Sequence, residues 1–184
     1  MDFFNASIIL DYAHKLRCRH TGGTCKNAVL QKKIKQEVII AEESMSDKKY
    51  KIGYTTGVFD MFHIGHLNIL RRAKEQCDYL IVGVSTDETV ESYKHKTPVI
   101  KFEERCAIVE AIKYVDKVVP QTSMNKMEAY EKLKFDALFH GSDWKGSEMY
   151  DKIVKDFAEI GVDVVFLPHT EGISSTLIRE KANK

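Results

Sequence analysis

A chain of 184 residues and 21.1 kDa supplies enough material for one full domain and little more. Apolar residues make up 43% and charged residues 30%; 28 Lys and Arg against 27 Asp and Glu leave a net charge of +1, which gives nucleic acid no overall electrostatic reason to bind. No apolar run approaches the ~20 residues of a membrane-spanning helix, and the acidic opening MDFFNASIIL lacks the basic start and cleavage site of a secretory leader.

Residues 1–49 hold nine Lys or Arg and six Asp or Glu, so the positive excess sits there and residues 50–184 carry −2. Apolar spacing predicts two helices, over about 3–17 (Phe4, Ile8, Tyr12, Leu16) and about 28–43 (Leu30, Ile34, Val38, Ala41), joined by a turn at Gly22-Gly23. We read 1–49 as an N-terminal helical extension without an assigned role. His14, Cys18, His20 and Cys25 fall within it, but the step from Cys18 to Cys25 is too long for the short knuckle of a structural zinc site. With Cys77 and Cys106 far away, the four cysteines read as free thiols of a reducing, cytoplasmic compartment.

From Tyr50 strands and helices alternate. KIGYTTG (51–57) is a strand running into a glycine turn, and residues 66–76 carry Leu67, Leu70 and Ala73 at helical spacing. YLIVGVST (79–86) is apolar throughout, as in a parallel strand buried on both faces. A helix over 103–115, a strand over 116–120 closed by Pro120, and a helix over 125–134 follow. Next come a strand over 135–141, a helix over 147–160, the strand VDVVFLP (162–168) and a C-terminal helix over 174–184. Five strands joined through helices predict an α/β fold, a doubly wound parallel five-stranded sheet whose ligands bind beyond the carboxyl ends of the strands.

After the first predicted strand comes TTGVFDMFHIGHLNIL (55–70). Gly57 permits a close backbone approach, and Gly65 does so beside the next helix. His63 and His66 flank that second glycine where a helix begins, and unpaired N–H groups there favour phosphate. Two imidazoles could add donors to oxygens that gain charge during phosphoryl transfer; equally, one could cap the helix and the other sit hydrogen-bonded in the core. No G-x-G-x-x-G follows the strand and no G-x-x-x-x-G-K-[ST] occurs, so a nicotinamide dehydrogenase and a P-loop kinase lose their support.

GVFDMFHIGH (57–66) resembles the H-x-G-H signature of the nucleotidyltransferase superfamily, and HTEGISST (169–176) resembles the R-T-E-G-I-S-T-[ST] signature of its cytidylyltransferase branch. GVSTDE (83–88), KYVDKVV (113–119) and GSDW (141–144) stand in order between them, and the likeness runs from about Tyr50 to Glu180. The resemblance is strongest to the branch members that use glycerol 3-phosphate, with those for choline and ethanolamine phosphate nearby. It implies a Rossmann-like domain over 50–184 that moves CMP from CTP to a small phosphorylated alcohol by direct displacement, releasing pyrophosphate. It also implies Mg2+ accompanying CTP, no metal centre of the protein's own, and a homodimer.

Carried over residue by residue, the resemblance makes His63, His66, Lys94 and Lys96 the catalytic set. Gly57, Val58, Phe59, Asp60 and Gly65 form the loop against the nucleotide, with Asp60 organising it or assisting magnesium. Arg105 contacts phosphate, unless it is spent in a salt bridge on the helix surface. Gly141 and Asp143 help form the nucleotide pocket, and Trp144 either covers the site or packs in the core. His169, Thr170, Gly172, Ile173, Ser174 and Thr176 close the nucleotide site, Ser174 to Thr176 also being suited to capping a helix. The departure is His169, where relatives have Arg: a smaller group, neutral at pH 7 unless perturbed, replaces a permanent five-donor fork. Two other readings stay open: an adenylyltransferase for a sugar phosphate or cofactor precursor, and a catalytically weak nucleotide-binding module. A small phosphonate is a further possible acceptor.

Overall fold

The computed structural model describes residues 48–182. The helices predicted over 3–17 and 28–43, their connecting turn and the His14–Cys25 group lie outside the described residues. All described elements belong to one unit, Ser46–Lys184.

The strands are β1 (Tyr50–Gly57), β2 (Cys77–Ser85), β3 (Lys117–Gln121), β4 (Ala137–Gly141) and β5 (Asp163–Leu167). They form one sheet in the order β3-β2-β1-β4-β5, and every pairing is parallel. Among the described residues the helices are α1 (Ile64–Lys74), α2 (Asp87–Lys94), α3 (Phe102–Glu110), α4 (Lys126–Leu133), α5 (Glu148–Glu159) and α6 (Ser175–Ala182), with a 3-10 turn at Ser142–Trp144.

The apolar run of β2 has the double-sided burial its composition predicts. Leu80, Val82 and Val84 pack with Leu70 and Ala73 of α1 and Val109 of α3 on one face. Ile81 joins Tyr54, Leu138, Phe135, Tyr150 and Phe157 on the other, beneath α4 and α5. At about 1.5–3 kcal/mol per fully buried large side chain, these two layers are the main favourable contribution to the fold.

Three expectations need correction. Residues 87–94, for which no element was predicted, form α2, with Thr86 accepting the Thr89 N–H and Asp87 and Glu88 in the first turn. Helix α3 stops at Glu110 rather than at 115, and the chain turns through Ile112–Val115. Strand β3 continues through Pro120 to Gln121. Proline is tolerated there because β3 is an edge strand that pairs only with β2.

The chain leaves β1 toward β2 and β3 on one side, and returns to place β4 and β5 on the other. The switch point, and with it the crevice, therefore lies between the carboxyl ends of β1 and β4. The loop that leaves Gly57 and the turn that leaves Gly141 must meet there.

Candidate functional site

The loop leaving β1 is held in an unusual shape. Phe59 (φ 54°) and Met61 (φ 47°) both take left-handed backbone without being glycine, a strain of about 1–3 kcal/mol each that neighbouring structure must hold in place. Asp60 lies between them, only 5% exposed. Its Oδ2 accepts the Val99 N–H at 3.0 Å and the Arg179 guanidinium at 2.9 Å, and its Oδ1 accepts the Ile100 N–H at 3.0 Å. The Ser175 hydroxyl donates to the Asp60 carbonyl at 2.9 Å. Asp60 thus organises the loop, and its carboxylate is already occupied by protein donors.

Of the two readings of Arg105 the ion pair holds, but it is buried and not on the helix surface. The side chain is fully buried, and it donates through Nε to the Ile100 carbonyl at 2.9 Å and through Nη1 to the Val58 carbonyl. Through Nη2 it pairs with Asp87 Oδ1 at 2.6 Å. It clamps the back of the loop from α3 and does not face the crevice. Val58 and Phe59 lend this scaffold a carbonyl and a buried ring (4% exposed).

His63 caps α1: its Nδ1 accepts the Gly65 N–H at 3.1 Å. In the neutral ring the proton then sits on Nε2, leaving that N–H as a donor. The cap explains Gly65, because a Cβ there would fall 2.8 Å from His63 Cε1. One turn on, His66 stacks on His63 with ring centroids 3.9 Å apart and planes at 22°, with Phe59 and Phe62 against its edges. His66 Nδ1 is enclosed and has no hydrogen-bond partner among the described residues. Burial, then His63 and Lys94, push the His66 pKa down to about 3, with Asp60 opposing. Burial and the nearby His169 lower His63 as well. Of the two sequence readings, capping holds for His63, whereas His66 is half-buried with an enclosed, unpaired ring nitrogen.

Lys94 ends α2, and His95 (φ 52°) turns the chain left-handed before Lys96. Although much of Lys94 is exposed, desolvation of its ammonium and repulsion from Lys96 lower its pKa, while Asp143 and Asp60 act the other way. Across the crevice, a Cβ at Gly141 would lie 2.3 Å from Asp143 Oδ1, so only glycine lets that carboxylate fold back over the end of β4. Trp144 packs in the core, edge-on to His140 at 5.3 Å and beside Tyr150 at 5.4 Å.

The last segment closes the site. His169 N–H donates to Ser142 Oγ at 3.2 Å, and Asn68 Nδ2 of α1 donates to Thr170 Oγ1 at 3.1 Å. Gly172 (φ 77°) turns the chain so that Ile173 reaches the start of α1 beside Gly65. Ser174 Oγ accepts the Leu177 N–H at 3.1 Å and caps α6, whereas Thr176 is exposed and carries no hydrogen bond among the described residues.

His63, His66, Gly65, Lys94, Asp143, Gly141, His169, Thr170 and Ile173 are therefore brought around one crevice. Gly57, Val58, Phe59, Asp60 and Arg105 stand behind it as its frame. Sequence reasoning missed Asn68, Asp87 and Arg179. For Asp87, the Thr86 cap and acidic first turn were a readable helix start; nothing in TLIRE announced that Arg179 would reach Asp60.

Fold and site together define an α/β protein with two stacked imidazoles and a lysine gathered at a switch-point crevice. Comparison with known proteins makes that class specific: the Cytidylyltransferase-like family profile matches residues 54–181, and the chain belongs to that family. It is 40% identical over 128 residues to the glycerol-3-phosphate cytidylyltransferase of Staphylococcus aureus, covering 69% of this chain and 91% of that one. The Bacillus subtilis protein of the same name is also 40% identical over 128 residues, with 69% and 93% covered. Among solved structures, the lipopolysaccharide core biosynthesis protein from Thermoplasma volcanium GSS1 superposes with a TM-score of 0.56 at 26% identity, over 66% of this chain and 97% of that one.

Proposed function

We propose that this enzyme transfers CMP from CTP to glycerol 3-phosphate, forming CDP-glycerol and pyrophosphate. The observation that carries the reading is the 40% identity to glycerol-3-phosphate cytidylyltransferases across the region that assembles the crevice.

A phosphate oxygen of the acceptor attacks the α-phosphorus of CTP, the bond from that phosphorus to the β-bridging oxygen breaks, and its electrons leave on pyrophosphate. The acceptor is already an anion, so no general base and no covalent enzyme intermediate are needed. The protein has to hold two anions in line and stabilise the added charge of the transition state. His63 Nε2–H and His66 supply donors beside the N-terminus of α1, where the backbone dipole also favours negative charge. Lys94 and Lys96 supply mobile positive charge for the triphosphate. With their ordinary protonation disfavoured by burial, the two imidazoles are neutral without ligand. A triphosphate beside them favours the charged form and draws protons in.

Magnesium would arrive with the triphosphate. Asp60 is spent on three donors, and Asp143 is the exposed carboxylate beside Lys94, so the donor set suits a cation held chiefly by phosphate oxygens. The ion would neutralise charge on the leaving pyrophosphate. His169 places an imidazole where the family signature has arginine. A homodimer and a cytoplasmic location complete the proposal; among the described residues no helix is long and apolar enough to cross a membrane.

The test is a pyrophosphate-release screen crossing CTP, ATP, GTP and UTP with glycerol 3-phosphate, choline phosphate, ethanolamine phosphate and hydroxyalkyl phosphonates in the presence of magnesium. CTP with glycerol 3-phosphate should give the highest kcat/KM. Preference for ATP, or for a cationic acceptor, would overturn the assignment.

A further inference from the structure

The cleft between β3 and α4 contains a cavity of about 270 Å³ that the reaction chemistry leaves unused. Its volume is near the small end of ligand-site sizes. Tyr54 of β1 and Gln121 of β3 both line it, and neither belongs to the crevice set described above.

Tyr54 is placed there by a glycine. Its ring stacks on Phe135 with centroids 4.9 Å apart and planes at 22°, and its hydroxyl reaches over Gly83 of β2. A Cβ on Gly83 would lie 2.5 Å from Tyr54 Oη, so the glycine between Val82 and Val84 makes room for the phenol. Tyr54 is 2% exposed, yet its hydroxyl makes no hydrogen bond to any described residue. Nor is that oxygen sealed in: the enclosed unpaired side-chain atoms among the described residues are His66 Nδ1 and Arg179 Nε. A buried side chain whose one polar atom is open and unpaired, on the wall of a cavity, marks a place where a ligand supplies the missing bond. Burial pushes the phenol pKa up, so the hydroxyl keeps its proton and can donate it.

The rest of the lining selects the kind of ligand. Val119, Ala129 and Leu133 are apolar and suit a hydrophobic ring. Glu128 and Lys132 of α4 add one charge of each sign, which favours neither an anion nor a cation. A neutral ring with a single polar group for the Tyr54 hydroxyl matches this set.

Gln121, 5% exposed, ties the cavity wall to the reaction centre. Its Oε1 accepts the Ser85 hydroxyl at 2.9 Å, and its Nε2 donates to the Ser123 carbonyl at 3.1 Å. Its backbone carbonyl accepts the N–H of Thr86, the cap of α2, at 3.1 Å. Ser85 Oγ also lies 3.3 Å from the Gly57 carbonyl, where the chain leaves β1 for the crevice loop. One side chain thus joins the cavity to the start of the loop that carries the imidazoles and to the start of the helix that carries Lys94.

We propose that the β3–α4 cavity is a second, effector site for a small neutral aromatic compound bearing one hydroxyl or N–H, and that its occupancy reaches the nucleotide crevice through Gln121. The inference goes beyond the proposed CMP transfer and is tested by binding alone, so it stands or falls separately from that reading.

The test uses the full chain with p-cresol and indole as probes, followed by ligand-observed NMR, and CTP affinity measured by calorimetry with and without probe. Molecules of about eight non-hydrogen atoms should bind with a Kd of about 3 mM or tighter. Tyr54→Phe keeps the ring and its stack, and should weaken probe binding about five-fold or more, the share of one hydrogen bond. Saturating probe should shift the Kd for CTP about three-fold or more, and by linkage saturating CTP should shift the Kd of the probe by the same factor. Gln121→Met should shrink that factor while the probe still binds. Absence of binding by both probes, binding indifferent to Tyr54→Phe, or full displacement of the probe by CTP would overturn the site. A CTP affinity unmoved by bound probe, or a shift that survives intact in Gln121→Met, would overturn the coupling.

Discussion

Replacing Gly65 by alanine separates the stability of the fold from the geometry of the site. The new Cβ would lie 2.8 Å from His63 Cε1 and 2.9 Å from His63 Nδ1, against 3.4–4 Å for ordinary contact, so the ring must swing away. Two things are then lost: the cap on the Gly65 N–H and the stack on His66 at 3.9 Å. For the fold the effects nearly cancel. A lost N-cap costs about 1 kcal/mol, and alanine in place of glycine in a helix returns up to about 1 kcal/mol, less so near the terminus. The net change in a domain of this size moves Tm by no more than about 5 °C. For the reaction nothing cancels, because a donor aimed at developing charge is worth roughly 100- to 1,000-fold in kcat. The assay is continuous pyrophosphate release at saturating CTP and glycerol 3-phosphate, with thermal denaturation of the same preparation. Turnover within about three-fold of wild type would refute the role given to the His63 pose. A fall in turnover matched by a loss of more than about 10 °C in Tm would instead place the effect in the fold.

Arg105→Met should destabilise by about 2–3 kcal/mol, because Asp87 and the Val58 and Ile100 carbonyls lose their donor. Unchanged Tm with a raised KM for CTP would restore Arg105 as a phosphate contact. Stability should also fall with acid in a defined window. His66 and His140 have folded pKa values of about 3 and about 4, below the ~6.5 of the unfolded chain. From pH ~6.5 downward the unfolded state therefore binds protons that the folded state refuses, at most about 1.4 kcal/mol per pH unit for each group. Urea titrations between pH 7 and 4 measure the slope, and a flat profile would contradict two imidazoles held neutral by partial burial.

The parts of this protein legible in sequence are those decided by local chemistry. The double-sided apolar run of β2, the cap-and-glycine pattern at His63–Gly65 and the alternation of elements from Tyr50 each state their structure within a few residues. Arg105 was not legible, since EERC reads as an exposed charged helix face. Its burial depends on Asp87, 18 positions earlier, and on carbonyls from two other segments. Asp60 behaves alike: only its long-range contacts with Val99, Ile100 and Arg179 decide between frame and metal ligand. The strained backbone at Phe59 and Met61 lay beyond propensity altogether, because such strain is held by tertiary contacts and not announced by residue type. Helix α2 was missed for a different reason: at eight residues it is too short for apolar periodicity to mark it, although Thr86 caps its start.

CMP transfer to glycerol 3-phosphate leaves a product that can be observed directly. Incubating the full chain with CTP, magnesium and glycerol 3-phosphate, then following the mixture by 31P NMR, tests it directly. Paired diphosphate resonances of CDP-glycerol should grow in step with pyrophosphate, with no such product when ATP replaces CTP. Pyrophosphate released without CDP-glycerol, or a nucleotidyl product formed from ATP in preference to CTP, would contradict it.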